Sequence, residues 1–344
     1  MNEIRQEEYE IQNFVNEVLI PSFPNWTLKS FGTFKKVNSK ANTFFGEASK
    51  TQIFEGTPYQ YIGNCQFLHF TSLISLKAIL DCGWLRMSEF GNLSDNTEFV
   101  YAASSVFGGE LEFSKVDLDS IKETLFSLSA CEVSQENNID PYLWNVYGDQ
   151  GKGVSIEYEF SNFKVYDYLF GNVRYGIESL DLLKEVFHNF NIYKKSNRGI
   201  YPTNFLNLIS DILVFHKAGQ FKSEKEVRLF WRSEKSSWEK HEKFLIYKDF
   251  NTIQEVRYFA KLFLKGRNPF FANGDVSDVM KNEILGVIPQ VEIKKITLGS
   301  NISIGKKLDI LDLLNELKKK HNYEYSIFHL NADSEIRPFF KLVK

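Results

Sequence analysis

Apolar residues recur along the chain with two spacings, and each spacing predicts its own kind of element. Near the N-terminus Ile11, Phe14 and Val18 fall on one face of a helix, which Pro21 and Pro24 end. The same helical spacing recurs over residues 73–80, 98–106, 182–190, 205–213, 253–263 and 310–317.

Alternation of apolar and polar residues predicts strands. It is clearest over 153–160, where Val154, Ile156 and Tyr158 alternate with polar neighbours. Strands are also predicted over 67–71, 126–131, 224–231, 293–298 and 323–329, with one or two short strands within 29–63. Because helices and strands mix without a regular βαβ rhythm, the sequence predicts an α+β fold.

The composition excludes several classes of protein. The chain has 41 Lys+Arg against 44 Asp+Glu, which leaves no net positive charge for non-specific binding to nucleic acid or an anionic membrane. We find no secretory signal and no apolar run that would span a bilayer, so a cytoplasmic protein is expected. Cys65, Cys82 and Cys131 lack the spacing of metal ligands, so no metal site is predicted.

His69 stands at the end of a predicted strand, and a helix follows it directly, with Thr71 or Ser72 as the N-cap. Such a junction brings free backbone N–H groups to the mouth of a cleft, where anions and sugars bind. The alternative, which spacing alone favours, is a histidine that caps or packs locally.

Glu224, Glu226 and Arg228 are spaced two apart on a predicted strand, so we expect them on one face of a sheet. One carboxylate could orient a sugar hydroxyl or stabilise an oxocarbenium-like transition state, and Arg228 could hold phosphate. The alternative, again favoured by spacing alone, is a solvated sheet face with a cross-strand ion pair.

Two further segments carry residues of candidate sites. Gly148, Gly151 and Gly153, with Lys152, could cradle a phosphate, but a hairpin turn is favoured because the segment lacks Walker spacing and precedes a strand. The pair 216–217, a histidine and a lysine, is predicted to end a helix, where capping or core roles are favoured over catalysis.

Several short motifs, taken in order, resemble a widespread uncharacterised bacterial family, domain of unknown function 2971. They are 68–72, Leu76, 83–88, Asp95, Glu98, 127–129, 143–144, Tyr147, 151–154, 156–157, 173–175, Lys217, Phe221, 224–229 and 296–299. The resemblance runs from about Gln66 to about Ile336. It implies an N-terminal helical extension over residues 1–63 and a second domain over 64–344.

That family is similar in turn to distant ADP-ribosyltransferases, which implies a split mixed or antiparallel sheet with flanking helices around a cleft for NAD. Such enzymes have a His or Arg at a strand end, then a strand bearing Ser, Thr or Tyr, then a Glu on a later strand. The matching positions here are His69, then Ser127 or Ser129, then Glu226 with Glu224.

The resemblance also implies roles. His69 would position NAD, with Thr71 of the same motif beside it; Glu226 would be catalytic, and Glu224 would assist or choose the acceptor. The remaining groups expected to bind NAD are Arg86 or Arg228 for the pyrophosphate and Tyr147 for the nicotinamide ring.

The implied setting is a bacterial defence or toxin system, without a membrane. ADP-ribose would pass from NAD to a macromolecule, either protein or nucleic acid, or NAD would be hydrolysed. The N-terminal extension could bind a partner protein. The alternative function is a non-catalytic module that uses the same cleft to sense a nucleotide or a protein.

Overall fold

The computed structural model describes residues 3–35, 42–49, 53–92, 98–108, 115–161, 168–196, 201–202, 205–233, 246–250, 256–266, 289–331 and 334–339. Its α-helices are α1 (Glu3–Phe14), α2 (Leu73–Cys82), α3 (Glu98–Phe107), α4 (Lys115–Lys122), α5 (Gln135–Ile139), α6 (Pro141–Val146), α7 (Asp181–Lys195), α8 (Phe205–Leu213) and α9 (Ile304–His321). Its strands are β1 (Thr27–Lys35), β2 (Asn42–Ser49), β3 (Gln66–Thr71), β4 (Trp84–Glu89), β5 (Leu125–Glu132), β6 (Val154–Ser161), β7 (Tyr168–Asn172), β8 (Arg174–Tyr175), β9 (Tyr201–Pro202), β10 (His216–Lys217), β11 (Glu226–Arg232), β12 (Ile246–Phe250), β13 (Val256–Leu264), β14 (Gln290–Leu298), β15 (Ser326–Leu330) and β16 (Ile336–Pro338).

Eleven of these strands form one mixed sheet. Its order is β12-β13-β4-β5-β3-β6-β14-β15-β16, with β11 pairing with both β5 and β7. β13 also pairs parallel with β14, so the six strands β13-β4-β5-β3-β6-β14 close into a ring. With helices flanking the large sheet, the structure confirms the predicted α+β class.

The N-terminal part of the chain contains strands as well as a helix. After α1 and a π-helical turn (Val15–Leu19), β1 and β2 pair antiparallel and β9 joins them in a separate sheet. The short strands predicted within residues 29–63 are confirmed by β1 and β2, so the N-terminal extension is not helical throughout. Phe14 packs edge-on against Phe190 and Tyr193 of α7, at 6.3 and 5.4 Å between ring centroids, so this part shares a core with the rest of the chain.

Most predicted elements are confirmed. For α2 the structure also shows a cap at each end of the helix. Ser72 Oγ accepts a hydrogen bond from Ser75 N at 3.1 Å, and Gly83 ends the helix with φ of 79°. In this left-handed conformation a side chain crowds the backbone, and glycine avoids that penalty.

Replacing Gly83 should therefore destabilise the protein. We expect Gly83→Ala to lower the free energy of unfolding by about 1 kcal/mol, measured by urea denaturation. Gly305→Ala is the matched control, because Gly305 lies in α9 and an added Cβ there meets no atom within 4 Å. The control should not lose stability; an equal loss in both variants would contradict the explanation.

The helix predicted over 253–263 is wrong over the part that the structure describes, since residues from Val256 onwards form strand β13; Ile253 lies outside the described residues. β13 lies between β12 and β4, and Ala260, Leu262 and Leu264 are buried. A short apolar run fits either period, and here pairing on both sides decides for the strand.

Two predictions near the site are also wrong. Helix α8 ends at Leu213, and residues 216–217 form β10, which pairs parallel with β8. The glycine-dense segment is not a hairpin turn, because α6 precedes it and a short 3-10 turn (Asp149–Gly151) leads into β6. Asp149, Gln150 and Gly151 all have positive φ, which turns the chain sharply at this point.

Every helix among the described residues is too short or too polar to cross a lipid bilayer.

Candidate functional site

A cavity of about 340 Å³ lies beside β3, β5 and β11. It is lined by Leu68, His69, Phe70, Glu98, Ser129, Ala130, Cys131, Leu143, Val146, Tyr147, Lys217, Phe221, Glu224, Glu226 and Arg228. Three carboxylates and two cations are therefore gathered on the wall of one cavity, beside aromatic and aliphatic side chains. This combination of an apolar pocket with a few convergent charged groups is typical of small-molecule sites.

The Lys217 ammonium lies at the centre of the three carboxylates. Its Nζ atom is 2.7 Å from Glu224 Oε2, 2.7 Å from Glu226 Oε2 and 3.1 Å from Glu98 Oε1. Burial disfavours the ammonium, but the carboxylates, led by Glu226, outweigh it and raise the pKa of Lys217. An ammonium has three N–H donors, and each has an acceptor here, so Lys217 is a fixed cation and not a nucleophile.

Arg228 is the second cation, and its side chain is only 1% exposed. Its Nε atom donates to Glu226 Oε1 at 2.7 Å, and its Nη2 atom donates to Glu98 Oε2 at 3.0 Å. Nη1 donates to the carbonyl of Val214. Glu98 and Glu226 therefore each bridge the same two cations, which ties β11, β10 and the start of α3 together.

The cluster contains more carboxylates than cations. Burial raises the pKa of Glu98. Burial acts the same way on Glu226, but Arg228 and Lys217 outweigh it and lower the pKa of that carboxyl to about 2. Glu226 is therefore ionised at neutral pH. With three carboxylates against two cations, the fully ionised cluster carries one net negative charge beside the cavity.

Glu224 reaches the cluster by a different route from the one predicted. It ends a 3-10 helix (Gly219–Glu224), and β11 begins only at Glu226. Lys225 between them has φ of 45°, a left-handed conformation that breaks the strand. The two carboxylates therefore do not share a face by strand alternation. The alternative prediction, a solvated sheet face, is also wrong, because Glu226 and Arg228 are buried.

Two tyrosines complete the hydrogen bonding of the carboxylate segment. Tyr147 Oη donates to Glu224 Oε1, and Tyr175 Oη accepts from the backbone N–H of Glu226 at 2.8 Å. Burial and the nearby Glu224 raise the pKa of Tyr147, so its hydroxyl stays a donor at neutral pH. Tyr147 is nevertheless 42% exposed, and it therefore connects the buried cluster to the solvent.

His69 lines the same cavity from β3. Its Nδ1 atom lies 3.3 Å from the carbonyl oxygen of Ser129. Burial lowers the pKa of His69, and the bond to Ser129 offsets this only in part. The neutral ring that results donates from Nδ1 to the carbonyl, which leaves Nε2 as an acceptor.

Lys217 is held in place through its neighbour. His216 Nε2 lies 2.8 Å from Tyr59 Oη, and His216 Nδ1 lies 3.1 Å from Ser179 Oγ. Burial, with the charges of two arginines, lowers the pKa of His216 to about 3, so the ring is neutral. Ser179 Oγ donates to the carbonyl of Gly176, so the pair is a structural anchor and not a nucleophile with its base.

The structure gathers six of the nine residues that the sequence predicted for catalysis or NAD binding: His69, Ser129, Tyr147, Glu224, Glu226 and Arg228. The other three lie outside the cavity lining. Arg86 pairs with Asp249 at 3.3 Å. Ser127 is buried within β5, and Thr71 is the last residue of β3. Arg228 binds carboxylates in the interior, which leaves it poorly placed for the predicted contact with a pyrophosphate.

Sequence reasoning gave no role to Glu98 and Phe221, and it interpreted Lys217 as a capping or core residue at a helix end. All three occur in the motifs that resemble the family. The ion pair between Glu98 and Arg228 could not be predicted, because these residues are 130 positions apart and local spacing does not indicate such a pairing. Among the described residues, His, Cys, Asp and Glu form no group of three or more that could hold a metal ion.

The chain matches no known protein family, no curated protein and no solved structure in the comparisons made. The family resemblance therefore stays a prediction, and the site is interpreted on its own geometry.

Proposed function

We propose that the cavity binds NAD and that the protein cleaves the bond between nicotinamide and ribose, passing ADP-ribose to a macromolecule or to water. The observation that carries this proposal is the ionised, buried Glu226 in a cluster with more carboxylates than cations, on the wall of a cavity. The fold would then be a split-sheet, ADP-ribosyltransferase-like arrangement.

The chemistry follows from where charge moves. When the C1′–N bond breaks, its electron pair leaves with nicotinamide, and positive charge develops on the ribose. A carboxylate that is already ionised and held by Lys217 and Arg228 stabilises this charge without reorganising. Because the charge is greatest in the transition state, the gain is catalytic. Water or an acceptor then bonds to C1′ and releases a proton.

The cavity size supports a ligand of this kind. Its volume of about 340 Å³ is at the small end of small-molecule sites, which run from roughly 300 to 1,000 Å³. It would enclose the nicotinamide and its ribose, while the ADP part extends outside. His69 Nε2 offers a neutral acceptor for a hydroxyl, and the rings of Tyr147 and Phe221 offer surfaces for the nicotinamide.

The wider setting belongs to the same proposal. It includes a cytoplasmic bacterial defence or toxin system, an acceptor that is protein or nucleic acid, and a partner protein for residues 1–63. These follow from the family resemblance and from nothing in the geometry.

The test is release of free nicotinamide from NAD by the purified protein, with and without nucleic acid or cell extract as acceptor. Glu226→Gln should lower the rate about 10²–10³-fold, the cost typical of removing one electrostatic group from a transition state. Glu316→Gln is the matched control, since Glu316 is exposed on α9, and it should keep the wild-type rate. Equal rates in wild type and Glu226→Gln, with both folded by circular dichroism, would contradict the proposal.

A nucleotide or protein sensor without catalysis is the second candidate. The observation that favours it is the complete internal pairing of Glu226, whose two oxygens both bind cations. A sensor would bind NAD or another nucleotide by titration calorimetry and release no nicotinamide under any condition.

A further inference from the structure

We infer that Glu224, rather than Glu226, is the carboxylate that contacts the substrate, through a ribose hydroxyl that takes the place of the Tyr147 hydroxyl. This inference rests on the proposed function and names the contact by which the site would recognise its substrate. It follows from the partners of each carboxylate oxygen.

The three carboxylates differ in what a ligand would have to displace. Glu98 binds Lys217 through one oxygen and Arg228 through the other. Glu226 does the same. Glu224 binds Lys217 through Oε2, but the partner of its Oε1 is the neutral hydroxyl of Tyr147. Glu224 is therefore the carboxylate of the cluster with one oxygen not held by a cation.

Replacing the partner of Glu224 Oε1 costs little free energy, whereas replacing the partner of any other carboxylate oxygen of the cluster costs much more. Displacing a buried cation from Glu98 or Glu226 would leave a buried charge without its partner. Displacing the Tyr147 hydroxyl breaks one hydrogen bond, and a ligand hydroxyl restores it. Tyr147 is 42% exposed and adjoins Val146, which is 49% exposed, so its ring has solvent to move into.

The group that replaces a phenol hydroxyl is identified by its chemistry. Lys217 already supplies a cation to Glu224, so the incoming donor is best a neutral hydroxyl. In NAD the hydroxyl nearest the breaking bond is the 2′-hydroxyl of the nicotinamide ribose. Glu224 is rigid enough to receive it, because Lys217 holds its side chain and Cys131 Sγ donates to its backbone carbonyl at 3.3 Å.

The test compares kcat/KM for NAD with kcat/KM for its analogue lacking the 2′-hydroxyl on the nicotinamide ribose. Wild type should favour NAD by at least tenfold. Glu224→Gln should reduce that ratio at least fivefold, because a charged acceptor becomes a neutral one. Glu98→Gln, a second isosteric change in the same cluster, should keep the ratio whatever it does to the rate.

Tyr147→Phe separates displacement from direct contact and does not depend on whether Glu224→Gln folds. It removes the competing hydroxyl, so the ratio should hold or rise and KM for NAD should fall. A ratio that drops in Tyr147→Phe would mean that Tyr147 itself binds the hydroxyl, and would overturn the inference. An unchanged ratio in folded Glu224→Gln would also overturn it while leaving NAD cleavage intact. No binding of NAD by wild type would overturn the proposed function and the inference together.

Discussion

Arg228→Met is expected to lower the free energy of unfolding by about 3–5 kcal/mol, the cost of removing one partner from a buried ion pair. Arg228 serves three acceptors, namely Glu226, Glu98 and the carbonyl of Val214. Methionine fills similar space but leaves the two carboxylates with Lys217 as their shared cation. Urea denaturation followed by tryptophan fluorescence measures the loss.

Two further variants serve as controls for this prediction. Arg86→Met makes the same change on β4, where Arg86 pairs with Asp249 and both side chains are more than a third exposed. The loss there should be about 1 kcal/mol or less. Arg228→Met with Glu226→Gln should recover part of the loss, because one unpaired charge is removed with its partner. Equal losses in Arg228→Met and Arg86→Met would show that the buried cluster is not held by charge.

Lys217→Met is expected to destabilise the protein by a similar amount, about 3–5 kcal/mol at pH 7.5, and part of this loss is expected to be recovered at lower pH. In wild type the pKa of Glu226 is about 2, below its ordinary value of 4.5. The unfolded chain therefore binds a proton first, so stability from Glu226 is present above pH 4.5 and is lost as the pH falls towards 2.

Without Lys217, Glu98 and Glu226 keep only Arg228 as their shared cation and Glu224 loses its own, so repulsion between like charges raises the pKa values of Glu98 and Glu226. A raised pKa means that the folded state binds protons first, so stability increases as the pH falls from 7.5 towards 5. The change in urea midpoint from pH 7.5 to pH 5 should therefore be more positive in Lys217→Met than in wild type. In wild type the reference slope combines Glu98, whose pKa burial raises, with His69 and His216, whose pKa values burial lowers. Parallel pH profiles would refute the prediction.

Local elements were predicted well wherever local chemistry specifies them. Helix α2 follows from its apolar spacing, the serine before it and Gly83 after it. The strand β6 follows from alternation alone. β13 was missed because its apolar residues fit both periods, and only the neighbouring strands β12 and β4 decide between them.

The sequence predicts several residues of the site but not how they are arranged in space. His69, Glu224 and Glu226 were expected together from the family resemblance, and the structure brings them to one cavity. The left-handed Lys225 could not be foreseen, because lysine has no preference for that conformation and its neighbours impose it. Lys217 was interpreted as a helix end, because Glu98 comes from a distant part of the chain and Glu224 and Glu226 reach the ammonium only through the 3-10 helix and the left-handed Lys225.

The 130 residues between Glu98 and Arg228 have a consequence for how the protein is made. Synthesis proceeds from the N-terminus, so Glu98 leaves the ribosome well before either of its cations. Until Lys217 and Arg228 follow, burying that carboxylate is unfavourable, and α3 has no charge partner to dock against. The cavity wall is therefore completed late in synthesis, and a chain cut short before β11 carries no assembled site.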